Sequence, residues 1–513
     1  MKLPPEKVLN VCHEAGDRTL VLWLGTTSPE LLRAACSRRT LTVLQVTGDE
    51  INHVAPHARV LVLEVPTADP SFPIWGSRAV SDALAHGLRV ALVQYEDDDK
   101  IPSMEDQAAA ERFFAAVKAL PRDPARVPAL YRDWDRVAEW ARIHQPGPGA
   151  NDALILEGAA PSDPAVQLLF RRAFSDLTTV SLELLSGGRS GASVWRVRPN
   201  SADYSRRALP FVAKIHEREK MRFEQSNYSV VRNAVESRLY APLHSERSVE
   251  GDKLGLVVYD VVERALPFRA AVPTAPAALI ASLFGQTLKG FHACATSRLR
   301  PIEVEADRLR LLRWSDSLRD AASFAGGIDD EVIQVDALAR RFSAIPPMDF
   351  AAATVHGDLH AGNLFVAAGT CDVSIIDYGS ILQDTLAAAD AACLEVSLTF
   401  PPNEDLLTIA GVGQSRDWRR AAYRYPLDPS TVPTLVGAGS WITDAVRAIR
   451  SQARLIEPRP VPYALAIAGY LIRCASFADH APMEERAIAY EIACQLVLSV
   501  ESELSTASGV VRI

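Results

Sequence analysis

At 513 residues, 48% apolar and 23% charged, the chain is too long for one hydrophobic core and has the make-up of a core-forming globular protein of about three domains. A net charge of −9 argues against a nucleic-acid-binding surface; only the arginines from Arg308 to Arg319 could line a local basic groove, and no nucleic-acid partner is expected. Seven cysteines, an odd number without a CxxC pair, argue against a disulfide framework or a zinc site and read as reduced, mostly buried thiols.

The opening residues, MKLPPEKVLNVCHEAG, lack the apolar stretch of a signal peptide. Four short β-branched runs follow: TLVLWLG (19–25), TLTVLQV (40–46), RVLVLEV (59–65) and RVALVQY (89–95). Each suits a strand buried on both faces. Between them, SPELLRAACS, GDEINHVA and SRAVSDALAHG carry helix starts at Ser or Gly, and EDQAAAERFFAAVKAL (105–120) reads as a longer closing helix. Repeated βα units imply a parallel sheet, so residues 1–145 are expected to form a Rossmann-like α/β domain. The Pro- and Gly-rich HQPGPGAND (144–152) marks a boundary, with a linker and leading helix over 146–178.

The pattern then changes. TVSLELLSGGRSGASVWRVRP (179–199) is two strand-like runs around a Gly-rich turn, and ALPFVAKIHE (208–217) adds a third strand. A helical segment (218–243) and the strand KLGLVVYDVVE (253–263) follow, which makes an antiparallel sheet carrying one helix over 179–263. From 264 to 513 the chain is chiefly helical. Its most apolar stretch, 461–478, reaches membrane-spanning length only by including Arg473, so a buried helix is expected, no membrane partner, and a cytoplasmic protein.

One stretch breaks the helical run. TVHGDLHAGNLF (354–365) sets two histidines, an aspartate and an asparagine in an apolar frame, and SIIDYGS (374–380) follows. Asp358 and Asn363 are five positions apart, and Asp377 lies fourteen further on. The runs LFVAAG and CDVSIID around Gly369-Thr370 read as a β-hairpin, which returns Asp377 to the neighbourhood of Asn363 and Asp358. Three oxygen-bearing side chains there suit Mg²⁺, which takes few carboxylates and leaves room for phosphate oxygens. Phosphoryl transfer needs such a cluster, with one carboxylate near the acceptor hydroxyl. Taken singly, Asp358 and Asn363 could equally cap turns.

The order of parts (Gly-rich hairpin, strand lysine, helix, hinge strand, HxDxxxxN and Asp-x-Gly) resembles the protein-kinase-like fold. HGDLHAGN followed by IIDYG is similar to the aminoglycoside phosphotransferase and choline kinase branch of that superfamily over roughly 179–400, and within it to the bacterial ternary complex associated domain kinases. The resemblance implies an α+β bilobal domain with a mostly helical C-terminal lobe, ATP and Mg²⁺ as cofactors, and a small-molecule or protein hydroxyl as acceptor. It makes Asp358 the catalytic base, His356 a brace of the catalytic loop, Asn363 and Asp377 the Mg²⁺ ligands, and Asp390 a support. Gly187, Gly188, Ser190 and Gly191 become the phosphate cover, where glycine lets backbone N–H groups approach. Ser193 could add a hydroxyl there, although an ordinary hairpin turn would read the same.

Lys214 would hold the α/β-phosphates, unless it merely snorkels to the surface. Its acidic partner is expected at Glu224, on the inward stripe of the following helix, in preference to Glu236 at the margin. Backbone groups from Asp260 to Val262 would read the adenine edge. A nucleotide-binding pseudokinase or signalling scaffold is the alternative to an active kinase.

The N-terminal module resembles a response-regulator receiver in strand–helix order only. No acid follows its first strand, Glu64 sits inside the third, and EDDDK offers no hydroxyl after the fourth. Without an acidic pair there is nothing to hold the metal that receiver phosphorylation needs. The module is therefore expected to be non-catalytic, regulating the kinase or recruiting a protein partner.

Overall fold

Unbroken apolar runs decide the first sheet. In a computed structural model of the chain, the four N-terminal runs form β1 (Thr19–Leu24), β2 (Leu41–Gln45), β3 (Val60–Glu64) and β4 (Arg89–Val93), joined by a fifth strand, β5 (Ala129–Tyr131). The residues described are 19–25, 29–38, 41–47, 50–51, 58, 60–64, 72–85, 88–93, 129–131, 134–143, 150–185, 191–200, 209–251, 254–262, 265–327, 332–401, 416–437, 439–478 and 481–507. The chain divides into two compact units, Met1–Phe223 with Leu243–Val261, and Glu224–Pro242 with Val262–Ile513.

All pairings in the first sheet are parallel, in the order β2-β1-β3-β4-β5. Leu22, Leu61, Leu63 and Leu92 point to one face, where Ala79, Val80 and Ala83 of α2 (Phe72–Ala85) cover them. Val21, Trp23, Val60 and Val62 point to the other, against α1 (Glu30–Ser37) and α3 (Trp134–Ile143). Helices on both faces explain why the strands read as unbroken apolar runs. α2 starts at Phe72, five residues before the expected Ser77, because Pro73 is tolerated in a first helical turn. The helix expected at 105–120 lies outside the described residues.

The second sheet has the order β10-β11-β9-β8-β7-β6. Its strands are β6 (Ile155–Gly158), β7 (Thr179–Leu185), β8 (Ser193–Pro199), β9 (Phe211–Glu217), β10 (Val249–Glu250) and β11 (Leu254–Asp260). β7 to β11 pair antiparallel, as expected, whereas β6 joins parallel to β7 from within the stretch read as a linker. β6 escapes a hydrophobicity reading because its position at the sheet edge leaves Ile155 57% exposed. α4 (Pro164–Ala173) places Leu169 and Phe170 in the same core as Trp195, Ala213 and Leu256. α5 (Arg218–Ala234) ends earlier than the expected 243, giving way to a 3₁₀ turn at Ser237–Leu239.

Among the described residues of the second unit the longer helices are α6 (Pro276–Ser282), α7 (Ile302–Arg308), α8 (Asp316–Gly326), α9 (Val335–Ser343), α10 (Ala389–Thr399), α11 (Arg416–Ala422), α12 (Trp441–Ile456), α13 (Pro460–Ala475) and α14 (Met483–Ala507). Two three-stranded sheets interrupt them. One joins β12 (Ala265–Pro267), β15 (Leu364–Ala367) and β16 (Val373–Ile375); the other joins β13 (Thr296–Arg300), β14 (Met348–Val355) and β17 (Leu382–Leu386). α13 is the apolar stretch that carries Arg473, and it is buried along almost its whole length. No described helix is long and apolar enough to cross a membrane. Its neighbour α10 buries Glu395 against Arg450 of α12 at 2.7 Å, with Tyr463 of α13 donating to the same carboxylate at 2.7 Å. Removing one partner of such a buried pair costs about 3–5 kcal/mol, so this triad locks α10, α12 and α13 together.

Candidate active site

β14 carries the chain to His356, and α10 holds it there. The Asp390 carboxylate, fully buried near the start of α10, accepts the backbone N–H of His356 at 2.8 Å and of Gly357 at 3.0 Å. Burial raises the Asp390 pKa; the two amides and the His356 ring act in the opposite direction. His356 is itself fully buried and donates from Nε2 to the Ile376 carbonyl at 2.9 Å, which ties the loop to the strand end before Asp377. Gly357 has φ +76°, and a Cβ there would meet the Ser380 carbonyl oxygen at 2.2 Å, so no other residue fits this crossing. The loop is thereby fastened from both sides.

Asp358 follows, with its side chain 25% exposed. Asn363 Nδ2 donates to the Asp358 carbonyl at 2.9 Å, and the Asn363 backbone N–H to His360 at 2.8 Å. With Nδ2 so engaged, Oδ1 is the atom of Asn363 suited to a metal. The hairpin between Asn363 and Asp377 forms with Leu364 opposite Ile375, and Ile376 N–H donates to the Asn363 carbonyl at 3.0 Å. Asn363 and Asp377 therefore stand at adjoining ends of one hairpin.

Asp377 has φ +65° and ψ +81°, a left-handed conformation that an L-residue holds only when its surroundings enforce it. They do so through Tyr378. Its buried hydroxyl donates to the Ala241 carbonyl at 2.8 Å, and its own carbonyl accepts from Asn227 Nδ2 at 2.9 Å. Gly379 comes next, and the place where its Cβ would stand lies 3.5 Å from Asp377 Oδ1 and 3.7 Å from Glu224 Oε2. Two carboxylates thus border the space beside Gly379, and their charge suits a cation. Among the described residues no group of three His, Cys, Asp or Glu side chains forms a metal site. A set of one carboxylate and one amide, with phosphate oxygens completing the shell, is below that count and fits Mg²⁺.

The sequence reading gave no functional role to α13. Arg473 places Nη2 at 3.1 Å from Asp358 Oδ1, and one turn earlier the Tyr470 hydroxyl donates to the Gly357 carbonyl at 3.3 Å. Burial works against the Arg473 charge, but chiefly the Asp358 carboxylate outweighs it and lifts the guanidinium above its usual range. His360 Nε2 lies 3.9 Å from Asp358 Oδ2, on the other oxygen. A lone arginine in an otherwise apolar helix was the available signal, since such a charge needs a buried anion to face.

Glu224 and Glu236 separate clearly. Glu224 is 1% exposed, whereas Glu236 lies beyond the end of α5, exposed and 3.1 Å from Arg238. In the other unit, Lys214 is 9% exposed on β9, opposite Val194 of β8 and Val257 of β11. Gly191 has φ +77° with open space around it, while Gly187, Gly188 and Ser190 lie outside the described residues. Asp260 closes β11 with its carboxylate 2.7 Å from His244 Nε2. Val262 follows beyond the strand, partly buried.

The loop, hairpin and Asp-Tyr-Gly turn all fall within one matched segment. Residues 181–423 match the phosphotransferase enzyme family (APH). The family match supports the aminoglycoside phosphotransferase and choline kinase-like assignment read from HGDLHAGN and IIDYG. No curated protein matches the chain. Among solved structures, an aminoglycoside-3'-phosphotransferase of type VIII is similar at 16% identity, over 53% of this chain and 93% of that one, with a TM-score of 0.29. An aminoglycoside phosphotransferase from Streptomyces rimosus is similar at 16% identity, over 53% of this chain and 92% of that one, with a TM-score of 0.29. A Plasmodium vivax ethanolamine kinase is similar at 12% identity, over 61% of this chain and 82% of that one, with a TM-score of 0.31.

Proposed function

We propose that the chain is an ATP- and Mg²⁺-dependent phosphotransferase that moves the γ-phosphoryl group to a hydroxyl. What carries the reading is the fastening of Asp358: Asp390 fixes the backbone before it, and Arg473 orients its carboxylate at 3.1 Å. A carboxylate merely capping a turn needs neither device.

In the proposed reaction Asp358 takes the acceptor's hydroxyl proton as the acceptor oxygen bonds to Pγ and the bond from Pγ to the departing ADP breaks. Asn363 and Asp377 would hold Mg²⁺, which when bound neutralises the phosphate oxygens. Lys214, with Glu224 as its acidic partner, would position the α/β-phosphates under a cover of Gly187, Gly188, Ser190 and Gly191. Backbone groups of Asp260 and Val262 would read the adenine edge.

We propose for residues 1–145 a non-catalytic, receiver-like module that regulates the kinase or recruits a protein. The strand order 2-1-3-4-5 is that of doubly wound flavodoxin-like sheets. Glu64, its acid on the third strand, is 4% exposed and so crowded that a Cβ on Gly25 would stand 2.4 Å from its Oε2.

The test of the enzyme reading is ADP formation by the full chain with Mg-ATP and a panel of hydroxyl acceptors, the chain itself included. Turnover well above that of Asp358→Asn is expected. Equal rates for the two proteins on every acceptor would sink it.

A further inference from the structure

The arginines from 308 to 319 are a basic run in an acidic chain, and the fold sorts them. Arg308 lies 3.1 Å from Glu305 and donates to the carbonyls of Asp384 and Gln383. Arg319 lies 2.8 Å from Asp336. Arg310 and Arg313 are exposed, and among the described residues neither makes an ion pair.

α13 fixes where these two stand. Leu311 packs so closely on Gly469 that a Cβ there would come 2.9 Å from Leu311 Cδ1. Just past the helix, the Phe477 ring lies under the Arg313 guanidinium, 4.6 Å from centroid to Cζ. Arg473 sits four residues after Gly469 and four before Phe477, the spacing of one helix face, and reaches Asp358 at 3.1 Å. The 310–313 segment is therefore clamped along the stripe that holds the candidate base. Burial first, then the charges of Arg473 and Arg310, lower the Arg313 pKa; the carboxylate opposing them is Asp358. Arg473 thus pairs with Asp358, while Arg313, held over Phe477 beside the same stripe, and its neighbour Arg310 add positive charge near the loop where an acceptor must present its hydroxyl.

Resting on the phosphotransferase reading, we propose that the acceptor is an anion: a hydroxyl compound whose phosphate or carboxylate docks on Arg310 and Arg313 while its hydroxyl meets Asp358. A guanidinium fork matches both oxyanions with two parallel hydrogen bonds. A polycationic aminoglycoside or a quaternary amine meets unneutralised like charge at the same place, an unfavourable juxtaposition that selects against it.

Equilibrium dialysis of the full chain with radiolabelled inorganic phosphate, in the absence of nucleotide, tests the site apart from the chemistry. Saturable binding is expected, weakened roughly tenfold or more in Arg310→Gln/Arg313→Gln and tightened in Asp358→Asn, which removes a repelling charge. Both arginines are exposed, so their replacement leaves the core intact. Failure of phosphate to bind saturably, or binding indifferent to both arginines, overturns the proposal. A second arm measures KM with Mg-ATP for sugar phosphates, hydroxycarboxylates and an aminoglycoside. The double variant should raise KM for the preferred anionic class, and the relative values tell phosphate from carboxylate. An aminoglycoside used more efficiently than every anionic compound also overturns it. Arginine-dependent phosphate binding without ATP turnover on any acceptor removes the phosphotransferase reading and leaves the anion site standing.

Discussion

The Asp390 carboxylate spans two consecutive amides, accepting from His356 at 2.8 Å and from Gly357 at 3.0 Å. This pins the backbone one residue short of Asp358 and uses both oxygens. An asparagine in its place has one acceptor oxygen and an amide nitrogen that would face a donor. Asp390→Asn is therefore expected to destabilise the chain by about 1–3 kcal/mol and to lower kcat more than the KM for ATP. Unchanged kcat with lowered stability would reduce Asp390 to a structural role.

The features legible beforehand were those encoded by local spacing. Asp358, Asn363 and Asp377 are placed by one loop and one hairpin, whose turn at Gly369 is readable from its residues. The first four strands are readable because both faces of their sheet are buried, so each is apolar throughout. Arg473 and Tyr470 were not legible as site residues. They reach the loop from more than a hundred positions away, through a helix–loop contact that no periodicity encodes. β5 and β6 were missed for a different reason: with three and four residues they fall below the length at which alternation is visible. The sorting of the arginine run depends in part on distant partners: Asp336 neutralises Arg319, and the Asp384 carbonyl accepts from Arg308, whose charge faces Glu305.

Asp358 and Asp377 predict different losses. Asp358→Asn should keep ATP binding near that of the parent while kcat falls about 10²–10⁴-fold, because the base touches the acceptor. Asp377→Asn should weaken Mg²⁺-dependent nucleotide binding and turnover together. Calorimetric titration of Mg-ATP beside steady-state kinetics separates the two. Full activity in Asp358→Asn would show the role to be misassigned.

Lys214 and Glu224 are both buried charges, and buried charges require opposite partners. If the lysine's partner is Glu224, then Lys214→Met and Glu224→Gln should each impair ATP binding, and the double variant should be less impaired than their sum. A coupling of at least about 1 kcal/mol is expected. Glu236→Gln should behave as the parent, since Glu236 is exposed and engaged by Arg238. Strict additivity of Lys214→Met with Glu224→Gln would dissolve the pair.

His292 gives the fold an acid-sensitive point away from the chemistry. It ends the short helix Lys289–His292, its ring stacks on Phe284 at 6.4 Å and 14°, and its buried Nε2 has no hydrogen-bond partner among the described residues. Burial pulls its pKa down from 6.5 to about 4. The depressed folded value means that the neutral ring contributes stability in full above pH 6.5, and that this is lost as pH falls from 6.5 towards 4. At pH 5 the loss is on the order of 2 kcal/mol, the unfolded ring having taken up its proton. His292→Phe keeps the stack and cannot titrate. Urea unfolding at pH 7.5 and pH 5 should therefore show a smaller drop for the variant than for the parent. Equal drops in the two proteins would mean that the imidazole is already accommodated as a cation in the folded chain.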